Sequence, residues 1–258
     1  MTDKILVERK DGVTTLRLND PGAMNALTPD MALLLHNLLL SESKTARAIV
    51  LAGTERAFSA GANLNAAMPD DMTGFDVGQT LEAEYNPLMN AIRDLPVPVI
   101  SAVRGAAAGV GASIALACDI IVAGKSAYFL EAFARIGLIP DGGATWLLTK
   151  AVGRVRAMEM MLLAEKIPAQ QAFDWGLITR VAEDDAVEDV AFEIAARLAQ
   201  GPSQSYSLIR KAAWSAADSD FQTALATERQ LQKAAGETRD FAEGLAAFKE
   251  KRPPRFQQ

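Results

Sequence analysis

The chain of 258 residues holds one histidine, His36, and one cysteine, Cys118. A single cysteine forbids an internal disulfide, and the two residues together leave no Cys/His set for zinc or iron, so no metal site is expected. A Ser-His-Asp or Cys-His arrangement would have to recruit His36. That residue lies in TPDMALLLHNLLL, behind Thr28 as N-cap and Pro29 at the first helical position, where it reads as a helix residue at the edge of the core. Backbone amides and carboxylates are left as the tools of any catalysis. Positive charge is also scarce. With a formal charge of −6 and no Lys/Arg run interleaved with aromatics before the short basic stretch Lys249 to Arg255, nucleic acid is not an expected partner. Long apolar runs are missing too: MALLLHNLLL and AAAGVGASIALAC are too short to span a bilayer, and MTDKILVERK lacks the apolar core of a signal peptide. The expectation is a soluble, cytoplasmic protein without a membrane partner, and with 50% hydrophobic residues it can bury a substantial core.

What is present is a repeated theme. ILVERK and VTTLRL, joined by Asp11-Gly12, form a hairpin signal. AIVLAG then leads into RAFSAGANL, VPVISAVRG into AAAGVGASIALACD, and IIVAG with YFLEAFARIGL into IPDGGATWLL. Each time a short apolar strand runs into a glycine-bearing turn that opens a helix, a pattern of layered α/β architecture with loops gathered at one end of the strands. ITRVAE reads as the last strand. After about residue 186 the pattern is helical, and the division is placed near residue 200: 1–200 as the α/β core, 201–258 as a helical C-terminal region. Residues 68–78, PDDMTGFDVGQ, lack periodicity and read as a mobile surface loop.

The turn GAAAGVG at 105–111 invites a nucleotide-binding reading, which fails. A dinucleotide fingerprint started at Gly109 has Ile114 where the third glycine belongs, and a P-loop needs Gly-Lys-Ser/Thr where this chain has Gly111-Ala112. What remains is a run of small residues that lets a backbone approach closely and presents the free N–H groups of a new helix, a setting that favours an anion or a developing oxyanion. SAGAN at 59–63 has the same character. One amide from each turn would give the two donors of an oxyanion hole; tight packing at strand-to-helix corners accounts for the same residues equally well.

RAFSAGANL, AVRGAAAGVGASIALACDIIVA, RIGLIPDGGATWLLTKAVG, AMEMMLLAEKIPAQQAFDWGLITRV and EGLAAFKEKRPPRF, in this order, resemble the crotonase superfamily, the enoyl-CoA hydratase/isomerase family, over nearly the whole chain. The resemblance implies a spiral of repeated ββα units with a C-terminal helical trimerisation region, assembly as a homotrimer or dimer of trimers, and acyl-CoA thioester substrates, with coenzyme A part of the substrate and no separate cofactor. It implies a hole made by the N–H groups of Ala60 and Val110, where Val110 replaces the family's more common glycine. It implies further that Met24, Ala26, Leu27, Ser59, Gly61, Ala62, Asn63, Leu64 and Gly109 line the thioester's seat, with Phe248 and Lys251 reaching the ligand of a neighbouring subunit.

Similar hydratases divide proton transfer between two glutamates. Their positions fall here at Ser113 and Phe133, and the nearby Glu131 is two residues off. Asp141, directly after Ile139-Pro140, stands where isomerases resembling the ring-opened phenylacetyl-CoA isomerase carry an acid. One carboxylate suffices to remove a proton from an acyl carbon and return it elsewhere while the hole holds the enolate. Asp141 also fits as an N-cap of the helix opening at GGATWLL. Dehalogenation by covalent attack, known in a subfamily with aspartate at this place, would need a histidine base, and His36 lies in the first helix. The expected activity is an enoyl-CoA isomerase of fatty acid metabolism that shifts a double bond. The alternatives are a hydratase using Glu131 and a non-catalytic acyl-CoA-binding homologue.

Overall fold

The computed structural model describes residues 3–69, 71 and 73–256. Its strands in chain order are β1 (Ile5–Lys10), β2 (Val13–Leu18), β3 (Ala48–Ala52), β4 (Ala57–Ser59), β5 (Val99–Val103), β6 (Ala106–Ala108), β7 (Ile120–Gly124), β8 (Tyr128–Leu130), β9 (Ile167–Pro168) and β10 (Arg180–Ala182). They form a six-stranded sheet, β1-β2-β3-β5-β7-β10, and a four-stranded sheet, β4-β6-β8-β9. The repeated theme of the sequence is thereby explained. Each unit contributes one strand to the larger sheet, the next to the smaller, and then a helix: β3, β4 and Leu64–Ala67; β5, β6 and Val110–Leu116; β7, β8 and Ala144–Leu163. This is the expected ββα spiral. The hairpin turn also forms, with Asp11 and Gly12 at φ 52° and 77°, the left-handed pair that matches strand twist.

The strands AIVLA and VISAV are buried throughout because the larger sheet is covered on both faces. Alternation sorts them: Ile49, Leu51, Val99 and Val103 join one apolar cluster with Leu35 and Leu39 of the helix Pro29–Glu42. Val50, Ala52, Ile100 and Ala102 pack with Val187, Ala191 and Ile194 of the helix Val187–Ala199. Thr28 caps the first of these helices, accepting from the Met31 N–H at 3.2 Å. His36 sits on it partly buried, its Nδ1 without a hydrogen-bond partner.

Beyond Gly201 and Pro202 the chain forms the helices Ser203–Ala217, Phe221–Gly236 and Arg239–Glu250. Arg210 fastens the first of them to the layered part. Its guanidinium is 6% exposed, and it donates to Asp119 at 2.7 Å, to the Ile92 carbonyl at 2.8 Å and to the Leu95 carbonyl. Of the aperiodic stretch 68–78, Asp70 and Met72 lie outside the described residues; Val77 and Gly78 begin a short helix capped by Asp76. Among the described residues no helix is long and apolar enough to cross a membrane.

Because Arg210 satisfies one carboxylate and two carbonyls at once, Arg210→Ala strands several buried polar groups. In urea unfolding followed by circular dichroism it is expected to cost about 3 kcal/mol or more.

Candidate active site

Two turns meet at the centre of the site. Gly61 and Gly109 both adopt left-handed backbone, φ 97° and 51°. A methyl group added to Gly61 would lie 2.8 Å from the Ala108 carbonyl oxygen and 3.6 Å from the Gly109 Cα, so the turns touch backbone to backbone. A β-carbon on Gly111 would lie 2.6 Å from the Ser59 Cβ, which brings the first turn of the helix Val110–Leu116 down onto β4. Close packing of small residues and the convergence of two free-amide turns are the same feature.

The first turn is stitched to the segment 24–27, where Met24 and Asn25 are themselves left-handed. The fully buried Asn25 donates to the Ala57 and Phe58 carbonyls at 2.8 and 3.2 Å and accepts from the Asp20 N–H at 2.8 Å. Ser59 Oγ donates to the Asn25 carbonyl at 2.8 Å and accepts from the Gly61 N–H at 3.2 Å. Leu27 N–H donates to the Gly61 carbonyl at 2.7 Å, and the Leu27 carbonyl accepts from the Asn63 N–H at 2.8 Å and from the Tyr85 hydroxyl at 3.1 Å. Tyr85 ends a single turn of π-helix, Leu81–Tyr85.

This stitching corrects one expectation. The N–H of Ala60 donates to the Met24 carbonyl at 3.0 Å, so it is not a free donor. Two residues on, the parallel bridge between Leu27 and Ala62 uses the groups of Gly61 and Asn63 that flank Ala62. The Ala62 N–H points the other way and meets no acceptor among the described residues. Val110 is the first helical residue after Gly109, and its N–H belongs to the orphan set of a helix start, whereas the Gly109 N–H is spent on the Leu130 carbonyl at 2.9 Å. The free pair is therefore Ala62 and Val110. The signal that separates Ala60 from Ala62 is register along the 24–27 segment, and no spacing rule in the sequence reports it.

Asp141 is held beside this pair. A β-carbon on Gly142 would lie 2.8 Å from Ser113 Cβ and 3.1 Å from Val110 Cγ2, and Ser113 Oγ donates to the Asp141 carbonyl at 3.0 Å. The helix begins at Ala144 with Gly143 as its cap residue and no side-chain cap, so the Asp141 carboxylate does not fill the N-cap role. Its Oδ1 is buried without a partner, and burial pushes its pKa up to about 6. Tyr85 senses this charge; burial, then Asp141, hold its hydroxyl well above the usual phenol range, so it remains a neutral donor.

The remaining expected residues divide. Met24 and Leu64 are exposed, 38% and 42%, beside the stitched turns; Ala26 is partly buried, and Leu27 and Ser59 are fully buried. The side chain of Asn63 caps the short helix Leu64–Ala67, accepting from the Ala66 N–H at 3.2 Å. Phe248, 82% exposed, lies on the last helix, which packs on Phe221–Gly236, and Lys251 is its left-handed C-cap; neither is brought to the turns of the site within one chain. Glu131 was missed as a buried group. It follows β8, is 0% exposed, and neither of its carboxylate oxygens has a partner.

Residues 8–258 match the family model described as Enoyl-CoA hydratase/isomerase. The chain is 42% identical over 260 residues to the 1,2-epoxyphenylacetyl-CoA isomerase of Escherichia coli (strain K12), covering 99% of each protein. It is 44% identical over 257 residues to a Rhodobacter capsulatus protein named "Probable enoyl-CoA hydratase", covering 98% of this chain and 97% of that one. The crystal structure of enoyl-CoA hydratase from Bacillus anthracis superposes with a TM-score of 0.90 at 31% identity, over 98% of this chain and 99% of that chain. Fold, converging turns and relatives agree: the chain belongs to the enoyl-CoA hydratase/isomerase family and is an acyl-CoA-processing enzyme.

Proposed function

We propose that the chain is an enoyl-CoA isomerase in which Asp141 moves the proton and the N–H groups of Ala62 and Val110 hold the enolate. The observation that carries this reading is that Asp141, whose Oδ1 is buried without a partner, is tied through its backbone carbonyl to Ser113 of the helix that supplies the second free amide. In a 3-enoyl thioester the C2–H bond breaks, the proton passes to Asp141, and the electron pair delocalises onto the thioester oxygen. Return of that proton to C4 leaves the 2-enoyl thioester, with atoms and charge balanced. Burial helps twice: it makes Asp141 a stronger base than an exposed aspartate, and it strengthens the two main-chain hydrogen bonds to the developing charge. Ser59, Gly61, Asn63, Leu64, Gly109 and the 24–27 segment form the thioester's seat in this reading, with coenzyme A carried in as part of the substrate.

Hydration is the second reading, favoured by the Rhodobacter relative's name. Against it stands the one acid that could assist Asp141: both oxygens of Glu131 are sealed from solvent, where a water-activating group must meet water.

The exposed faces of the C-terminal helices support assembly in this reading. Phe221, Ile209, Phe241 and Phe248 are 72%, 60%, 52% and 82% exposed there, a cost that a homotrimer or dimer of trimers relieves.

Asp141→Asn is expected to lower conversion of 3-enoyl- to 2-enoyl-CoA, and exchange of the α-proton with deuterated solvent, by about 100- to 10,000-fold. Hydration of crotonyl-CoA surviving that substitution would instead favour the second reading. Gly61→Ala, which drives a β-carbon into the Ala108 carbonyl, should lower kcat by about 100-fold, in line with loss of one hole donor. Sedimentation equilibrium should give three or six times the 27.5 kDa chain mass, and Phe241→Glu with Phe248→Glu should shift it toward the monomer.

A further inference from the structure

Among the described residues, Glu131 alone leaves both side-chain oxygens buried without a partner. Its place in the fold ties it to the site. The Leu130 carbonyl before it accepts from Gly109 N–H, and two residues later the Phe133 ring lies 3.4 Å from where a Gly109 β-carbon would be. Glu131 therefore stands where β8 passes the turn that supplies Val110. It is not at either position where similar hydratases carry their glutamates, since those fall at Ser113 and Phe133.

Among the described residues no cation pairs with Glu131. Glu131 interacts electrostatically with Asp141, whose own Oδ1 is equally unpartnered. Tyr85, whose hydroxyl also feels the Asp141 charge, adds no charge of the opposite sign: it is a neutral phenol bonded to the Leu27 carbonyl. Arg135, on the same 3-10 turn as Phe133, gives its guanidinium to the Ala164 carbonyl. Two acids that feel each other's charge, one of them sealed from water, resist ionising together, so near neutral pH they hold one negative charge and one proton between them.

We propose that Glu131 is a positioning residue of this site: a sealed second acid that keeps its proton while Asp141 carries the site's single charge. The inference rests on the isomerase reading and deepens it. Neutral Glu131 leaves the enolate as the only anion once Asp141 has taken its proton, so charge moves between two places and is never doubled. An ionised Glu131 would repel both the Asp141 carboxylate and the enolate. Burial, then the charge of Asp141, push the Glu131 pKa up to about 8, against about 6 for Asp141, which separates the acid from the base across neutral pH.

The pH dependence of α-proton exchange tests this. The wild-type rate should rise through about pH 6 as Asp141 ionises and fall through about pH 8 as Glu131 does. Glu131→Gln, which cannot ionise, should abolish the fall, and Glu131→Asp should keep one. A descending limb unchanged in Glu131→Gln would overturn the proposal.

Two readouts do not depend on turnover. A protonated-carboxyl infrared band should vanish between pH 7 and 9 in the wild type and be absent from Glu131→Gln. Thermal melting adds the sign: a carboxyl whose folded pKa is raised loses stability as pH climbs from its ordinary range to the folded value. Glu131→Gln should therefore melt above the wild type at pH 9, with the gap closing toward pH 4.5. A gap independent of pH, or no such band, also sinks the proposal. If Asp141→Asn keeps full exchange while the band and the melting gap appear, the isomerase reading has failed and the charge-sharing acid pair has not.

Discussion

The site depends on the register in which the segment 24–27 is sewn to the turn 59–63. Main-chain and side-chain hydrogen bonds donated by Asn25, Ser59, Ala60, Leu27 and Asn63 decide which amides of that turn are consumed and which is left over. Each such bond contributes roughly 1 kcal/mol net, but the penalty for breaking one inside the protein is larger, because the stranded group has no water to turn to. That asymmetry keeps the register fixed. Slipping by a single residue would spend the Ala62 N–H and free an amide facing the wrong way. Tyr85, from a different part of the chain, bonds the same Leu27 carbonyl and so locks the seam from behind.

The larger architecture was legible because its causes are local. Apolar runs of five residues, each followed by a glycine-bearing turn and a helix, report a repeated strand–turn–helix unit directly, while the second strand of each unit was implied by the family resemblance; Asp11-Gly12 reports its hairpin. Sheet membership was not legible. That β4, β6 and β8 leave the larger sheet to form a second one follows from the packing of three-residue strands, which carry too little pattern to be read. Within the site, Gly109 and Val110 were readable as a helix start, since orphan amides there are a general property of helices. Ala60 was misplaced because its N–H is taken by a partner 36 residues earlier, through Met24 in a left-handed conformation that no propensity announces.

The two acids make the complementary point. Asp141 was legible by its place after Ile139-Pro140, yet a helix-capping role competed with it until the helix proved to start at Ala144, capped by glycine. Glu131 was legible only as an acid two residues from a hydratase position. Its burial arises from β8 running beneath the Gly109 turn, an arrangement that draws on residues from two separate units of the spiral. Neither acid gains stability for the fold from where it sits, since each is held away from its ordinary ionisation range by a desolvated setting. Such tension is what a reactive centre requires, and the stitched turns nearby make it bearable.

Since the seat for negative charge consists of main-chain amides, a substitution can shift its donors, as at Gly61, but short of proline it cannot delete them in the way that it deletes a catalytic side chain. Acids around it can be gained, lost or moved while the capacity to hold an enolate persists, so new reactions can be tried on this scaffold without first rebuilding its most demanding part.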